Sequence, residues 1–445
     1  MSNLLGSAVF RLSHRVRSSG TLEVLARIRS EPFVPPEIAR KRQWERVLDL
    51  VRHCEDRVPY YRRRFREAGI TSKDLRGFED YARLPVLTKA EIAAHLEEMI
   101  AEGASRESLL EHNSGGSTGI PIRFYRDAAT VAGSEAGTYR NLLQCGWAPG
   151  EMIGFFWGWN AALASMSRAE FLARQLARRM YQFDPFQSGD ADMKRWWRTW
   201  TRVRPRVALG YASTIARFAR FLDRQGITPP PLRGVFTTAE KLFAPQRSLM
   251  EKVFQCRVFD CYGSSEVQNI ATECVNGRMH INADFAVVEL APDERRPDGS
   301  APLLVTSLLS RAMPFLRYRN EDSGALVDGT CSCGSGFPCM SLNVARVSDS
   351  FILPNGRVIH GEYFTHLMYG SEGIDRFQFH QTAPDRIVIR YVPSATGSAS
   401  ATLRAAVEQG EALAPDLIGV TVEQVSDIPL SSAGKHRFTR SDVVA

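Results

Sequence analysis

The sequence predicts an α/β protein in two parts: a large domain of mixed sheets and helices over residues 1–345, and a smaller α+β domain over 346–445. Three observations predict it. A chain of 445 residues exceeds the ~100–200 residues of one usual domain. Between positions 108 and 340, short apolar runs alternate with helical stretches, as in a sheet covered by helices. After residue 345 the texture changes to hairpins with a single helix.

The elements follow in order. Within residues 1–20, Leu5, Val9, Leu12 and Val16 recur at three- and four-residue spacing, so a helix there has one apolar stripe. Arg11, Arg15 and Arg17 accompany it with no acid. The stripe fits a helix packed on its own core, a membrane-surface helix or a transit peptide. Residues 36–70 read as helical and end in the run Tyr60-Tyr61-Arg62-Arg63-Arg64, a solvated basic face. Met152–Trp157, Val207–Leu209, Val235–Thr238, Arg257–Cys261 and Leu303–Thr306 read as strands. Ala191–Trp200, Ser213–Arg224 and Pro245–Phe254 read as helices, with Trp196, Trp197 and Trp200 as core. Further on, Phe351–Ile359 is a strand, an Asn-Gly turn and a strand. Arg376–Gln381 and Arg386–Val392 form a second hairpin, Ala401–Ala414 a helix and Gly419–Val425 a strand.

Composition narrows the class. At 44% hydrophobic and 24% charged residues the chain is ordinary globular protein. No apolar run approaches the ~20 residues of a membrane span. The net charge is +7, but residues 1–66 hold 15 Lys+Arg against 7 Asp+Glu and the rest holds 41 against 42. The body is therefore neutral, and no nucleic-acid partner is expected for it. The N-terminal surplus points to peripheral membrane or partner-enzyme docking through residues 1–66. No secretory apolar core or cleavage site stands out, so a reducing, cytoplasmic setting is expected for the eight Cys. Only 7 of the 56 basic residues are Lys, the last three being Lys241, Lys252 and Lys435.

Four segments carry chemistry. Asn113-Ser114-Gly115-Gly116-Ser117-Thr118-Gly119-Ile120-Pro121 combines glycines, which let backbone N–H groups turn towards an anion, with hydroxyl donors. It lacks the Gly-Lys-Ser/Thr of a Walker A loop, so a surface linker stays open beside phosphate binding. Phe259–Glu266 ends a strand, where α/β sheets place ligands, and Glu266 offers a hard oxygen to Mg²⁺. Arg317–Gly324 carries Asp322, a carboxylate after a strand that can hold a ribose diol. Leu430–Phe438 is a small-residue loop presenting Lys435 where every other base after Lys252 is Arg or His. Separately, Cys274, His280 and the run Cys331-Ser332-Cys333-Gly334 read as a tetrahedral zinc set or as unrelated thiols, with Cys339 a competing fourth ligand.

In this order and spacing the segments resemble the adenylate-forming superfamily, in its phenylacetate–CoA ligase-like branch with capsule-biosynthesis relatives. The resemblance covers nearly all of the chain. Leu84–Lys89 looks like the approach to the phosphate loop, and Ser114–Pro121 like that loop. Thr237-Thr238-Ala239-Glu240 and Tyr262-Gly263-Ser264-Ser265-Glu266 look like the adenine and Mg²⁺ segments, and Arg317–Asp322 like the ribose motif. Ala345-Arg346-Val347-Ser348-Asp349 looks like the hinge, with Asp349 the pivot.

The resemblance implies ATP/AMP binding by Ser114, Gly115, Gly116, Ser117, Thr118, Gly119, Glu240, Tyr262, Gly263, Ser264, Ser265, Asp322 and Arg346. It implies catalysis by Lys435 and Glu266, Mg²⁺ and ATP as cofactors, CoA as thiol acceptor, and structural Zn²⁺ on Cys274, His280, Cys331 and Cys333. It also implies that the large domain is the adenylating one and the C-terminal domain a mobile lid. Three positions depart from the pattern: Ile120 for a Lys, Asn320-Glu321 for Thr-Gly, and Ala345 and Ser348 for Gly and Asp.

The implied reaction activates a small carboxylic acid as acyl-AMP, releases pyrophosphate and passes the acyl group to CoA. The alternative acceptor is an amine, sugar or carrier protein, and a remote alternative is a non-catalytic zinc-stabilised binding protein. Tyr139, Phe155, Phe156, Trp157, Trp159 and Tyr211 are expected to wall the acid pocket, or else to be core.

Overall fold

The computed structural model describes every residue except 1, 18–19, 114–121, 158–166, 186–189, 344–349, 355–357, 361–363, 365–366, 369–372, 395–397, 414, 416–417, 430–435 and 444–445. It divides into two compact units. The first comprises Met1–Asn320 with Gly324–Leu342, the second Asn343–Ala445 with Glu321–Ser323.

The first unit opens with helices Ser2–Val16, Thr21–Ile28, Pro36–Arg57 and Pro59–Ala68. The last two were expected as one; Pro59 lacks the N–H that a continuous helix needs, so the chain breaks at Val58 and restarts with Pro at its first position. Arg62, Arg63 and Arg64 form ion pairs with Glu102, Glu98 and Glu91. That half-exposed basic face is thus neutralised within the chain.

Strands β1 (Leu110–Asn113) and β2 (Arg123–Arg126) pair antiparallel. A parallel set follows: β3 (Ile153–Phe156), β4 (Met180–Phe183), β5 (Val207–Tyr211), β6 (Gly234–Thr238) and β7 (Val258–Tyr262). Neighbours in this set run parallel in the order β7-β6-β5-β3-β4. Parallel neighbours need crossovers, supplied here by helices such as Asp190–Val203, Ala212–Arg224 and Ala244–Phe254.

The sheet continues antiparallel through β8 (Ala271–Glu273) and β9 (Met279–Ile281). Then come β10 (Ala286–Leu290), β11 (Ala301–Ser307), β12 (Tyr318–Val327) and β13 (Cys339–Asn343), giving eleven strands in the order β10-β11-β12-β13-β9-β8-β7-β6-β5-β3-β4. Phe156, Phe183, Trp196, Trp200, Phe218 and Phe254 pack on one stretch of it, so the tryptophans of Asp190–Val203 are core as expected.

The N-terminal helix corrects one expectation. Its face towards the protein is Gly6, Phe10 and His14, and not the Leu/Val stripe. Phe10 is fully buried and meets the rings of Tyr139 and Trp147 edge-on. Gly6 is needed there, because a Cβ would lie 2.7 Å from the Gly150 carbonyl oxygen. The stripe residues Leu5, Leu12 and Val16 are 71%, 61% and 76% exposed. Sequence spacing alone misassigned the buried face because a compact aromatic anchor outweighs a longer aliphatic row. Removing residues 1–20 would take Phe10 out of the core.

The second unit holds β14 (Ser350–Ile352) with β15 (Val358–His360), and a four-stranded sheet. That sheet runs β18-β17-β16-β19, from β16 (Ile374–Ala383), β17 (Arg386–Pro393), β18 (Gly419–Gln424) and β19 (Thr439–Ser441). Helix Ser400–Glu411 covers it, burying Leu403 and Ala406 with Phe351, Phe379, Ile387 and Val420.

Candidate functional site

The chemistry-bearing residues sit at the carboxyl ends of the parallel strands, where loops leave the sheet. β6 ends in Thr237-Thr238, and Ala239 then takes a left-handed φ of 68°. This turn delivers the Glu240 carboxylate to the backbone N–H of Ser213, which donates to it at 2.8 Å. Ser213 opens the helix Ala212–Arg224, whose N-terminus welcomes a negative charge.

β7 ends in Tyr262, and Gly263–Glu266 turn back on themselves. Ser264 N–H donates to the Val267 carbonyl at 2.8 Å, and Val267 N–H donates to Ser264 Oγ at 3.0 Å. Glu266 is buried in this turn.

β12 supplies the second wall. Its side chains alternate between faces, so positions 318 and 320 share one. The Tyr318 hydroxyl donates to Glu266 Oε1 at 3.1 Å, and the Asn320 amide donates to the Tyr262 hydroxyl at 2.7 Å. Asp322 is buried and belongs to the second unit. Asn320 is one of the departures noted in the sequence; its longer amide spans to the tyrosine. The segment Leu84–Lys89 backs this strand. Leu87 bridges Tyr318, exchanging backbone hydrogen bonds with Arg317 and Arg319, and Thr88 caps the helix Lys89–Ala94 with Glu91 in a capping box.

The Ser/Thr/Gly loop itself, Ser114, Gly115, Gly116, Ser117, Thr118 and Gly119, lies outside the described residues, but its two flanks are the β1–β2 hairpin. From β2, the buried Arg126 guanidinium donates to the Ser265 carbonyl, tying the hairpin to the Glu266 turn. Burial lowers the Arg126 pKa to about 10, and the Glu266 charge opposes this. His112, on β1, stacks on Phe124. Burial and then the Arg126 charge lower its pKa to about 4, so it is neutral near pH 7. Sequence reading missed Arg126, Tyr318 and Asn320 as site-builders. Their only signal was adjacency to the motifs, because their partners are remote in sequence.

Beneath the site, Thr237 Oγ1 donates to Asp260 Oδ1 at 2.9 Å, and the Asp260 N–H donates to Glu273 at 3.0 Å. Burial raises Asp260 to about 7; Glu273 adds to this, while Thr237 and Arg247 oppose it.

The aromatic residues expected to wall the pocket, or else to be core, fall into separate groups. Phe155 and Trp157 stack in parallel at 5.5 Å, and Trp157 meets Tyr211 at 4.4 Å. Phe156 faces the opposite side of β3 from Phe155 and lies in one core cluster, and Tyr139, on the helix Ala128–Leu143, lies in another. Trp159, Arg346, Asp349 and Lys435 lie outside the described residues. The other late lysines have ordinary roles: Lys252 pairs with Asp223 at 2.8 Å, and Lys241 lies over the Phe243 ring.

The Cys/His set converges. Cys274 follows β8, His280 is on β9, and Cys331 and Cys333 lie in the loop from β12 to β13; their ligand atoms lie within 4.8 Å of one another. Cys274 Sγ to Cys331 Sγ is 3.7 Å, and Cys333 Sγ to His280 Nε2 is 3.4 Å. Zinc bonds of ~2.3 Å to sulfur and ~2.0 Å to nitrogen at tetrahedral angles require separations of about 3.5–3.8 Å, so the donor set fits that ion. His280 Nδ1 lies 2.8 Å from the Phe337 carbonyl. Donation there leaves Nε2 as the ligand nitrogen. Cys339 sits opposite His280 in the strand register but outside the four-donor group.

The comparisons with known proteins agree with the motif reading. No family model matches the chain. It is 29% identical over 363 residues to a phenylacetate-coenzyme A ligase of Thermus thermophilus, across 78% of each chain. It is 22% identical over 384 residues to protein CapK of Staphylococcus aureus, across 81% of this chain and 80% of that one. The fold matches 2-hydroxyisobutyryl-CoA ligase in its postadenylation state, in complex with R3-HIB-AMP, with a TM-score of 0.74 at 19% identity over 93% of this chain and 91% of that one. The fold is therefore that of the adenylate-forming ligases.

Proposed function

We propose that this chain is an AMP-forming acid ligase, which activates a small carboxylic acid with ATP and passes the acyl group to CoA. One observation carries the reading. Two motifs far apart in sequence meet through Tyr318–Glu266 and Asn320–Tyr262, forming one buried polar site at the sheet's carboxyl edge.

A carboxylate is a poor acyl donor, because oxide would have to leave. In the proposed first step its oxygen attacks the ATP α-phosphorus, and the bond to the β-phosphate oxygen breaks, releasing pyrophosphate. The CoA sulfur then attacks the acyl carbon, and AMP leaves. Tyr262 and Glu240 would hold the adenine end, Asp322 the ribose hydroxyls, and Ser114–Gly119 the phosphates. Mg²⁺ would supply charge neutralisation on those phosphates; Glu266 offers the single carboxylate that such a site uses, with its rotamer fixed by Tyr318. Lys435 would bridge carboxylate and α-phosphate, orienting the attack; Arg346 would contact the nucleotide, and Asp349 would serve the hinge of a lid movement. Zn²⁺ on Cys274, His280, Cys331 and Cys333 would be structural, with no open coordination position.

ATP–pyrophosphate exchange across a panel of aromatic, hydroxy, amino and fatty acids tests the reading. Exchange above background with at least one acid is expected, followed by a thioester when CoA is present. Exchange with every acid at background would sink it. An amine, sugar or carrier-protein acceptor is the second reading, which exchange without thioester would favour.

A further inference from the structure

The N-terminal helix Ser2–Val16 has two apolar faces, and the core uses only one. Phe10 and His14 face inward. Leu4, Leu5, Ala8, Val9, Leu12 and Val16 are all exposed. At 3.6 residues per turn these six cover one arc of about 140°. The arc continues onto the neighbouring helix Arg168–Arg178, where Leu172 and Leu176 are 40% and 51% exposed. Between the two helices runs a groove of about 610 Å³, lined by Val9, Leu12 and Val16 on one side and Arg174, Ala177 and Arg178 on the other. An isolated exposed leucine means nothing, but a contiguous aliphatic surface across two helices is unusual for a monomer.

Its rim is cationic. Arg11 lies at one edge of the arc, and Arg15 just inside that edge, between Leu4 and Ala8. Arg17, Arg174 and Arg178 crowd together on the other, close enough that burial and then the Arg178 and Arg17 charges lower the Arg174 pKa. The N-terminal helix has no acid. Glu135 is half-buried below, accepting from Thr21 and Arg178, and Glu170 caps its own helix by accepting the Ser167 N–H. At 15 residues the helix is too short to cross a bilayer, and no described helix is long and apolar enough to do so.

We infer that this face is a docking surface for an anionic lipid bilayer, with the N-terminal helix lying in the interface. The leucines enter the acyl boundary and the arginines meet lipid phosphates, as expected for an aliphatic arc bounded by guanidinium groups. A nucleic acid offers nothing to the hydrocarbon between the arginines. The inference is independent of the proposed reaction.

Flotation of the full-length protein with phosphatidylcholine vesicles, with and without phosphatidylglycerol, tests it. Binding should require phosphatidylglycerol and weaken with salt. The double variants Leu5→Ser/Leu12→Ser and Arg11→Glu/Arg15→Glu should each lower the partition coefficient about 10-fold or more. Both should keep the wild-type melting temperature, because neither touches the Phe10 face. Failure of the wild type to float, or variants that float as well as wild type, would overturn the inference. So would a concentration-dependent dimer that Leu5→Ser/Leu12→Ser dissociates, since the face would then join two copies of the chain.

Discussion

Tyr318 and Asn320 act through other residues. Each is buried on β12 and spends its polar atom on a residue that the sequence already singled out. A hydrogen bond to a charged group is worth about 1.5–3 kcal/mol, so Tyr318→Phe should lower ATP–pyrophosphate exchange about 10-fold or more while the fold persists. The loss should fall on the Mg²⁺ dependence; an unchanged Mg²⁺ titration would show that Glu266 does not need this donor. Asp260 gives a second residue-scale test. Its native pKa of about 7 exceeds the ~3.9 of an unfolded Asp, so native protein holds a proton that the unfolded chain releases. Stability from this group is therefore full below about pH 4 and falls as pH rises through about 7. Asp260→Asn keeps an acceptor for Thr237 and removes the titration. Its stability relative to wild type should rise between pH 5 and pH 8, on the order of 1 kcal/mol or more by denaturant unfolding. The same difference at both pH values would mean that Asp260 does not titrate there.

At the scale of elements, the β8–β9 hairpin and the loop before β13 meet through the Cys/His cluster's four donors and polar contacts such as Asn276 to Ser332, Arg278 to the carbonyls of Asp328 and Thr330, and Ile281 to the Pro338 carbonyl. Burial raises the Cys333 thiol to about 12, with Cys331 and Cys274 adding to it, whereas Cys331 falls to about 6 as neighbouring donors outweigh its burial. Thiols this close cannot all ionise without a cation between them. Purified protein should carry one zinc per chain by elemental analysis. Cys331→Ser should lose that zinc and lower the melting temperature by several degrees, as should prolonged chelation. Full zinc content in the variant would move the site elsewhere, Cys339 being the nearest substitute.

Elements are also where the sequence was most legible. Periodicity placed β3, β5, β6 and β7 and three of the helices to within a few residues, because burial on both faces leaves unbroken apolar runs, but it did not name β4. It misjudged the N-terminal helix, where two apolar faces compete and only tertiary contact decides between them. It could name Glu266 and Asp322 from local motifs, but not Arg126, whose guanidinium reaches a carbonyl 139 residues away.

At the scale of the whole molecule, charge and chemistry are segregated. The surplus of positive charge lies in residues 1–66, and part of it is already neutralised by Glu91, Glu98 and Glu102. Arg11, Arg15 and Arg17 of the first helix stay exposed on the surface, while the proposed reaction is assigned to a neutral body. The chain's division into two units gives the proposed reaction its own test. Glu266 and its supporting residues belong to the first unit, and Lys435 belongs to the second. If Lys435 serves adenylation alone, Lys435→Ala should lower ATP–pyrophosphate exchange about 100-fold or more, the loss expected for a transition-state charge contact. The same variant, supplied with synthetic acyl-AMP and CoA, should form thioester near the wild-type rate. Loss of both half-reactions would mean that the residue holds the second unit together, and exchange equal to wild type would remove Lys435 from the mechanism. Only the split between the half-reactions supports one site served in turn by two parts of the chain.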